Sequence, residues 1–507
     1  MGRDMDNAVY KKFTRDISIS ASADVVLRLK GFILMPILTK AFGTVNYGIW
    51  AQVGVMVGLL AVLAVMGIDG AVTRFLPGKS REEVREGFYT YILFQLAICI
   101  LFCLALVFSS QFMAESFFDS VENARFVILA GAYLISTQLA NGLRRYFRIF
   151  TQMKTFNALI IYASLANAVA GAAVALLGYT IFELIIIHIL IDLTVILFAA
   201  ALIIKQIGIT FPRFKFLKSY LTFGIPLLPA GLSNWAIHLS DRLFISYFIG
   251  MSALGIYSVV YSLSEMFMFL FFNPIFLMLT PVISKLWNED KKEDVKRVTK
   301  YSLKYALMFA IPAAFGFCIL GRSFLTKFTT AEFATGYYLI PMVASGYIFY
   351  LVSGMAGQVF LLVQKTKFSG IILSSACVLN IILNALLIPR WGITGAAIAT
   401  TVTFFTEMLA TIIVSSRYFR IDYSAAFILK SVVASSIMGL AVWWVNPVSI
   451  AKIFIGAFIG VVVYFLILLA LRGFTRAEAE FFIDFIPSTR LKRRLLSVVG
   501  RRDKSLE

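Results

Sequence analysis

The chain repeats one constraint from end to end: a run of about twenty apolar residues, a short polar break, then another run. Coiled as helix, at about 1.5 Å per residue, such a run spans the hydrocarbon core of a bilayer. The short alternating segments of a β-barrel are absent. Composition agrees: of 507 residues, 60% are hydrophobic and 14% charged, with a mean hydropathy of +0.87. Soluble chains are about 25% charged. The expected fold class is an all-α integral membrane protein. Fourteen transmembrane helices are read at 18–40, 48–68, 87–110, 124–143, 156–177, 180–204, 219–247, 253–279, 299–320, 334–362, 368–388, 394–415, 425–445 and 450–471. The first 16 residues are polar and basic, and no small-residue cleavage site follows. No cleavable signal peptide is therefore expected.

The formal charge of +19 suggests nucleic acid only until the basic residues are placed. Of 46 Lys and Arg, 37 fall on one side of the fourteen-span topology and six on the other. That asymmetry marks the cytoplasmic side, puts both termini there, and makes nucleic acid an unexpected partner. Cys99, Cys103, Cys318 and Cys377 lie inside apolar runs, without a metal-ligand pattern. Neither a metal site nor a cofactor is expected.

The chain also echoes itself. "LTKAFGTVNYGIW" (38–50) carries Gly43 and Gly48, and "YFIGMSALGIY" (247–257) carries Gly250 and Gly255, each pair five residues apart. A second echo matches Gln152 with Gln364 and Phe156 with Phe368. Two parallel six-helix repeats follow, since an even number of spans returns the chain to its starting side. The expected organisation is an N-terminal lobe at 1–214 and a C-terminal lobe at 215–424. Two extra helices fill 425–472, and a basic amphipathic cytoplasmic tail fills 473–507. The glycines are read as makers of the turn between the first two helices of each unit. The lobes are expected to enclose a central cavity.

Ionised side chains are costly inside a bilayer unless they face protein or water. The first span holds Asp24 and Arg28, four apart, then Lys30. The seventh holds Asn234, His238, Asp241 and Arg242, the first three on one helical stripe. The eighth adds Tyr257, Tyr261 and Glu265 at four-residue spacing. Arg28, Lys30, Arg242, Asn234, His238, Tyr257 and Tyr261 are the expected cavity and substrate-binding residues. Asp24, Asp241, Glu265, Glu183 and Asp192 are the candidates for ion coupling or charge pairing. On the sixth span, His188 and Asp192 stand four apart and are expected as a pair, structural or functional. Glu407 on the twelfth span is similar to them. Asp69 and Arg74 flank the end of the second span, where gating and capping both remain open.

"LTKAFGTVNYGIW", "MGIDGAVTRF" and "DRLFISYFIGMSALGIYSVVYSL" resemble the polysaccharide-transport branch of the multidrug/oligosaccharidyl-lipid/polysaccharide (MOP) exporter superfamily, the Wzx-type O-antigen flippases. The resemblance implies translocation of an undecaprenyl-diphosphate-linked oligosaccharide to the outer leaflet of the cell inner membrane, in O-antigen or other cell-surface polysaccharide biosynthesis. It implies membrane lipids and a polysaccharide polymerase or assembly complex as further partners. "RLKGF" around Arg28 also resembles the first-helix arginine motif of the related lipid II flippases, whose arginines line a cationic cavity. The acidic neighbours make this cavity mixed in charge, which leaves room for coupling to H+ or Na+.

An arginine fork suits a diphosphate, and aromatic faces suit sugar rings. No P-loop, metal-ligand cluster or nucleophile–base motif is present, so a transporter rather than an enzyme is expected. The alternatives are a small-molecule, cation-coupled antiporter of the same superfamily, and a scaffold or enzyme of envelope polysaccharide synthesis.

Overall fold

The computed structural model describes the backbone of residues 2–474, and side chains at 31, 33–268, 275–276 and 278–474. Every element among the described residues is helical. The order is α1 (Gly2–Val65), α2 (Ile68–Phe75), α3 (Arg81–Phe108), α4 (Ser110–Phe117), α5 (Ala124–Ile149), α6 (Met153–Leu176), α7 (Ile181–Ile207) and α8 (Lys215–Gly224). Then come α9 (Leu228–Phe248), α10 (Met251–Asn288), α11 (Lys292–Phe328), α12 (Ala331–Ala334), α13 (Ile340–Leu362), α14 (Thr366–Ser416), α15 (Ala425–Trp444) and α16 (Ile450–Ala470). With bent helices counted once, ten helices among the described residues are long and apolar enough to cross a membrane. The protein is a multi-pass membrane protein.

Two helices are far longer than one bilayer crossing, and each bends at a glycine. α1, 64 residues long, breaks at Gly43 (φ 68°, ψ −178°), and α14, 51 residues long, breaks at Gly392 (φ 60°, ψ −143°). Gly250 (φ 111°) separates α9 from α10. A side chain at such positive φ is strained, so glycine sets these corners. Helix starts are set locally: Ser80 with Glu83 and Thr180 with Glu183 form reciprocal capping boxes. Hydroxyls inside the helices return to their own backbone, as Thr39 does to the Met35 carbonyl (2.8 Å) and Ser264 to that of Val260 (2.8 Å). A polar side chain is thereby satisfied in a setting that offers no water.

The largest apolar core runs through α1, α5, α7, α10, α11 and α13. A second core joins α2, α3, α5, α6 and α7 to α8 through Phe88, Phe147 and Tyr220. A third, around Met308, Met438, Val442 and Tyr464, fastens α15 and α16 to α11. Residues 475–507, the span expected to form the amphipathic tail from 473 onward, lie outside the described residues.

Candidate functional site

The glycine pairs divide their work. Gly43 and Gly250 turn the chain, but Gly48 and Gly255 sit within helices where α1 crosses α10. A Cβ at Gly48 would stand 2.0 Å from the Met251 carbonyl oxygen, and a Cβ at Gly255 would stand 2.0 Å from that of Thr44. Thr44 and Met251 are 207 positions apart, as are Gly48 and Gly255. The reading of all four as turn residues is therefore corrected: two are needed because backbone meets backbone.

Polar contacts close the same seam reciprocally. Met251 N–H donates to Asp119 (2.8 Å), while Thr44 Oγ1 donates to Glu332 (3.1 Å) and accepts from Ser252 Oγ (2.9 Å). Asp119 sits between α4 and α5, and Glu332 between α11 and α13, so each half of the chain lends an acid to the other. At the opposite end of α1, a Cβ at Gly67 would meet the Gly224 carbonyl at 2.4 Å, and one at Gly224 would meet the Met66 carbonyl at 2.4 Å. Trp235 lies against Gly58 between these two ends.

Immediately under the first seam, α9 and α10 bury a charged pair. Asp241 is 0% exposed and Arg242 5%. Asp241 accepts the Arg242 backbone N–H (2.8 Å), a guanidinium N–H (3.3 Å) and the Tyr257 hydroxyl. Arg242 also donates to the His238 carbonyl (2.7 Å) and lies over the Tyr261 ring at 4.5 Å. Tyr347 of α13 packs edge-on against Tyr261, and Tyr47 and Glu265 lie within electrostatic reach of Arg242. The arrangement is a neutralised pair walled by aromatic rings, with the guanidinium held by protein groups.

The expected residues thus separate. Asp241, Arg242, Tyr257, Tyr261 and Glu265 come together. His238 turns instead toward Tyr350 (5.2 Å between centroids) and Phe404. Asn234 is exposed. Asp24, Arg28 and Lys30 fall on α1, but their side chains lie outside the described residues. Glu183 caps its own helix, accepting from the Thr180 backbone N–H (2.8 Å) and hydroxyl. Asp192 accepts from Thr137 (2.8 Å) and Ser136 (3.3 Å), while His188 Nδ1 bonds the Leu184 carbonyl (2.7 Å) and its ring faces Trp50.

Two features were missed outright, and a third, Asp69, was singled out beside Arg74 but without its partner. Asp69 is ion-paired with Arg145 and accepts from the Tyr91 hydroxyl (2.7 Å), joining α2, α5 and α3 beside the Gly67 contact. Its partner is seventy-six residues away in sequence, and no local spacing announces it. Ser240, Asn380, Asn384 and Thr403 form a wholly buried amide–hydroxyl network between α9 and α14. Asn380 and Asn384, four apart on an apolar helix, were its visible signal. An apolar cavity of about 560 Å³ also opens between α10, α11, α15 and α16, lined by Met266, Phe267, Phe317, Met438 and Tyr464 among others. Met266 and Phe267 directly follow Glu265, so one turn of α10 borders both the charged cluster and this cavity.

Comparison with known proteins places this architecture. The chain is 22% identical over 280 residues to the probable low-salt glycan biosynthesis flippase Agl15 of Haloferax volcanii, spanning 54% of this chain and 59% of that protein. It is 24% identical over 410 residues to the probable flippase AglR of the same organism, spanning 77% and 80%. Among solved structures, the lipid II flippase MurJ in an inward closed conformation superposes with a TM-score of 0.75 at 17% identity, covering 90% of this chain and 99% of MurJ. An inward-facing multidrug resistance MATE transporter of the MOP superfamily gives 0.60 at 16%, covering 77% and 97%. These two likenesses establish a shared fold. A family model described as "Polysaccharide biosynthesis protein" matches residues 23–335. With well over half its length matched, and with that fold, the chain belongs to the polysaccharide biosynthesis protein family.

Proposed function

We propose that the protein is a flippase that moves a polyprenyl-diphosphate-linked oligosaccharide between leaflets by alternating access, without chemistry on its cargo. The observation that carries this reading is the paired seam. Two halves meet backbone to backbone at Gly48/Gly255 and again at Gly67/Gly224, with polar groups between. Opening one seam while the other stays closed exposes the interior to one side at a time. Family membership supports the reading, as do relatives whose own names describe flippases.

In this reading 1–214 and 215–424 are the moving lobes, each of six crossings, and the helices after 424 complete fourteen. The basic segments face the cytoplasm, the termini lie there, and the membrane is the cell's inner membrane. The diphosphate is recognised by arginine, with Arg242 released from Asp241 as the cluster opens and Arg28 contributed by the first helix. The apolar cavity beside Glu265 takes part of the lipid tail; its volume lies in the range of ligand pockets, about 300–1,000 Å³. Undecaprenol is the carrier that the resemblance implies.

The test is leaflet exchange in vesicles containing purified protein and an oligosaccharide on undecaprenyl diphosphate, read by a glycan-cleaving enzyme added outside. Protein-dependent exposure of the inner-leaflet pool is the expected result. Absence of exchange, with cation-driven export of a small dye from the same vesicles, would overturn the reading in favour of a multidrug-type antiporter.

A further inference from the structure

Two carboxyls far apart in the chain, Asp192 buried and Glu407 partly buried, have similar surroundings. On α7, Asp192 accepts the Ser136 and Thr137 hydroxyls from α5. On α14, Glu407 accepts the Ser353 hydroxyl (3.3 Å) from α13, and Ser353 in turn contacts Thr411 (3.3 Å). The donating serines close the segments "YLIS" (133–136) and "YLVS" (350–353), which stand 217 positions apart. The tyrosine opening each segment packs edge-on against a histidine: Tyr133 on His188 at 6.2 Å and 77°, Tyr350 on His238 at 5.2 Å and 88°. The chain has only two histidines, and each packs on one of these tyrosines, His188 from the helix of Asp192 and His238 from α9.

We infer that Asp192 and Glu407 are a matched pair of proton-binding carboxyls, one in each lobe, each tuned by a Tyr-Leu-x-Ser segment and a neighbouring imidazole. The inference rests on the two-lobed transporter reading and goes beyond it by naming the coupling ion and where it binds.

Neither carboxyl forms an ion pair among the described residues, and Glu407 Oε2 is buried with no hydrogen-bond donor among them. Asp192 faces Tyr133 and, at longer range, Arg144 from α5, His188 from its own helix and Trp50 beyond it. Arg144 is itself held by Asn141 (2.6 Å). Glu407 faces Tyr350 from α13, with His238 of α9 behind that ring and Glu265 of α10 also within electrostatic reach of it. A carboxylate in such a place is costly, and a proton relieves the cost. On protonation the carboxyl oxygen becomes a donor, and the serine hydroxyl rotates to accept, so the site is satisfied in both states. A hard metal cation instead asks for about six oxygens, and rings occupy much of the surroundings here.

Infrared difference spectra of the full chain in lipid nanodiscs, recorded across a pH titration, test this directly. Two protonated-carboxyl bands are expected, one lost in Asp192→Asn and the other in Glu407→Gln. Ser136→Ala and Ser353→Ala keep the acids but remove a hydrogen bond to the charged form. Each should raise proton affinity at its own site by about tenfold. Bands unaffected by the acid substitutions, or bands abolished by sodium at constant pH, would overturn the assignment. In the vesicle assay, an imposed pH gradient should change wild-type exchange and leave Asp192→Asn and Glu407→Gln indifferent; equal responses would also overturn it. Titrating bands in a protein that exchanges no lipid-linked glycan would leave the proton sites standing and remove the flippase reading.

Discussion

Both ends of the α1 seam are backed by an aspartate, an arginine and a tyrosine, yet the two trios differ in reach and burial. Near Gly48 and Gly255, Asp241 and Arg242 are adjacent on α9, with side chains 0% and 6% exposed, and Tyr257 comes from α10. Near Gly67, Asp69, Arg145 and Tyr91 come from three helices, and the pair is 19% and 27% exposed. Side chains alike in type thus act in two dielectric settings. The first pair has no water to fall back on, so its removal should be felt as an isolated buried charge; the second can be partly rescued by solvent. The comparison teaches that the seam near Gly48 is locked by local chemistry, whereas the seam near Gly67 depends on long-range assembly of the first half.

The largest expected effect comes from cutting the more buried pair. Arg242→Ala strands Asp241 and should cost about 3–5 kcal/mol of stability. Asp241→Asn together with Arg242→Met should recover most of it, since no charge is left behind. Arg145→Ala should cost less, about 1.5–3 kcal/mol. Thermal midpoints in nanodiscs rank the variants; an Arg145 variant as damaged as the Arg242 one would erase the proposed difference between the ends.

Next in size are the close approaches. Gly48→Ala and Gly255→Ala place a methyl against backbone oxygen and should cost about 1–3 kcal/mol each. That is about fivefold to a hundredfold in the balance between shut and open. A cysteine at Ser252, in a background without the native cysteines, should then label faster with an impermeant thiol reagent. Gly224→Ala should leave that labelling unchanged, because it disturbs the other end. Faster labelling in both would mean that the ends do not open independently.

Asp119→Ala and Glu332→Ala probe the reciprocity of the first seam. Each removes an acid that one half lends the other: Asp119 accepts a helix-start N–H and Glu332 the Thr44 hydroxyl, so each should cost about 1 kcal/mol, the usual value of a lost cap or a lost hydrogen bond. Equal shifts in thermal midpoint would sharpen the symmetry between halves. A large shift from one and none from the other would break it.

The smallest effect completes the burial series. Lys300 and Asp422 pair at 2.5 Å with side chains 40% and 56% exposed. The hydrogen bond from Lys300 holds the Asp422 carboxyl below its ordinary range. Stability from this pair is therefore fully present above about pH 4 to 5 and disappears as pH falls through the depressed value. The difference in thermal midpoint between wild type and Lys300→Met should be within the ~0.2–1 kcal/mol of exposed pairs and should close on acidification. A difference that persists at pH 2 would assign it to packing instead.

Much of the architecture was legible because its signals are local. An apolar run needs only its own residues to form a membrane helix, since backbone hydrogen bonds close within the segment. Gly43 and Gly250 are corners because a positive φ with an extended ψ (φ 68°, ψ −178° and φ 111°, ψ 178°) strains any side chain. Asp241, Arg242 and Glu265 stood out because charge is rare in such runs. Only the tertiary structure decided that Gly48 and Gly255 are contact points, for their reason lies on the opposite helix. It alone paired Asp69 with Arg145 and Asp119 with Met251, across 76 and 132 residues. It left Asn234 exposed and buried Asp241, although helical spacing puts them on one stripe. Periodicity fixes which residues share a face, but the neighbours of α9, namely α14 and α1, choose which part of that face is buried.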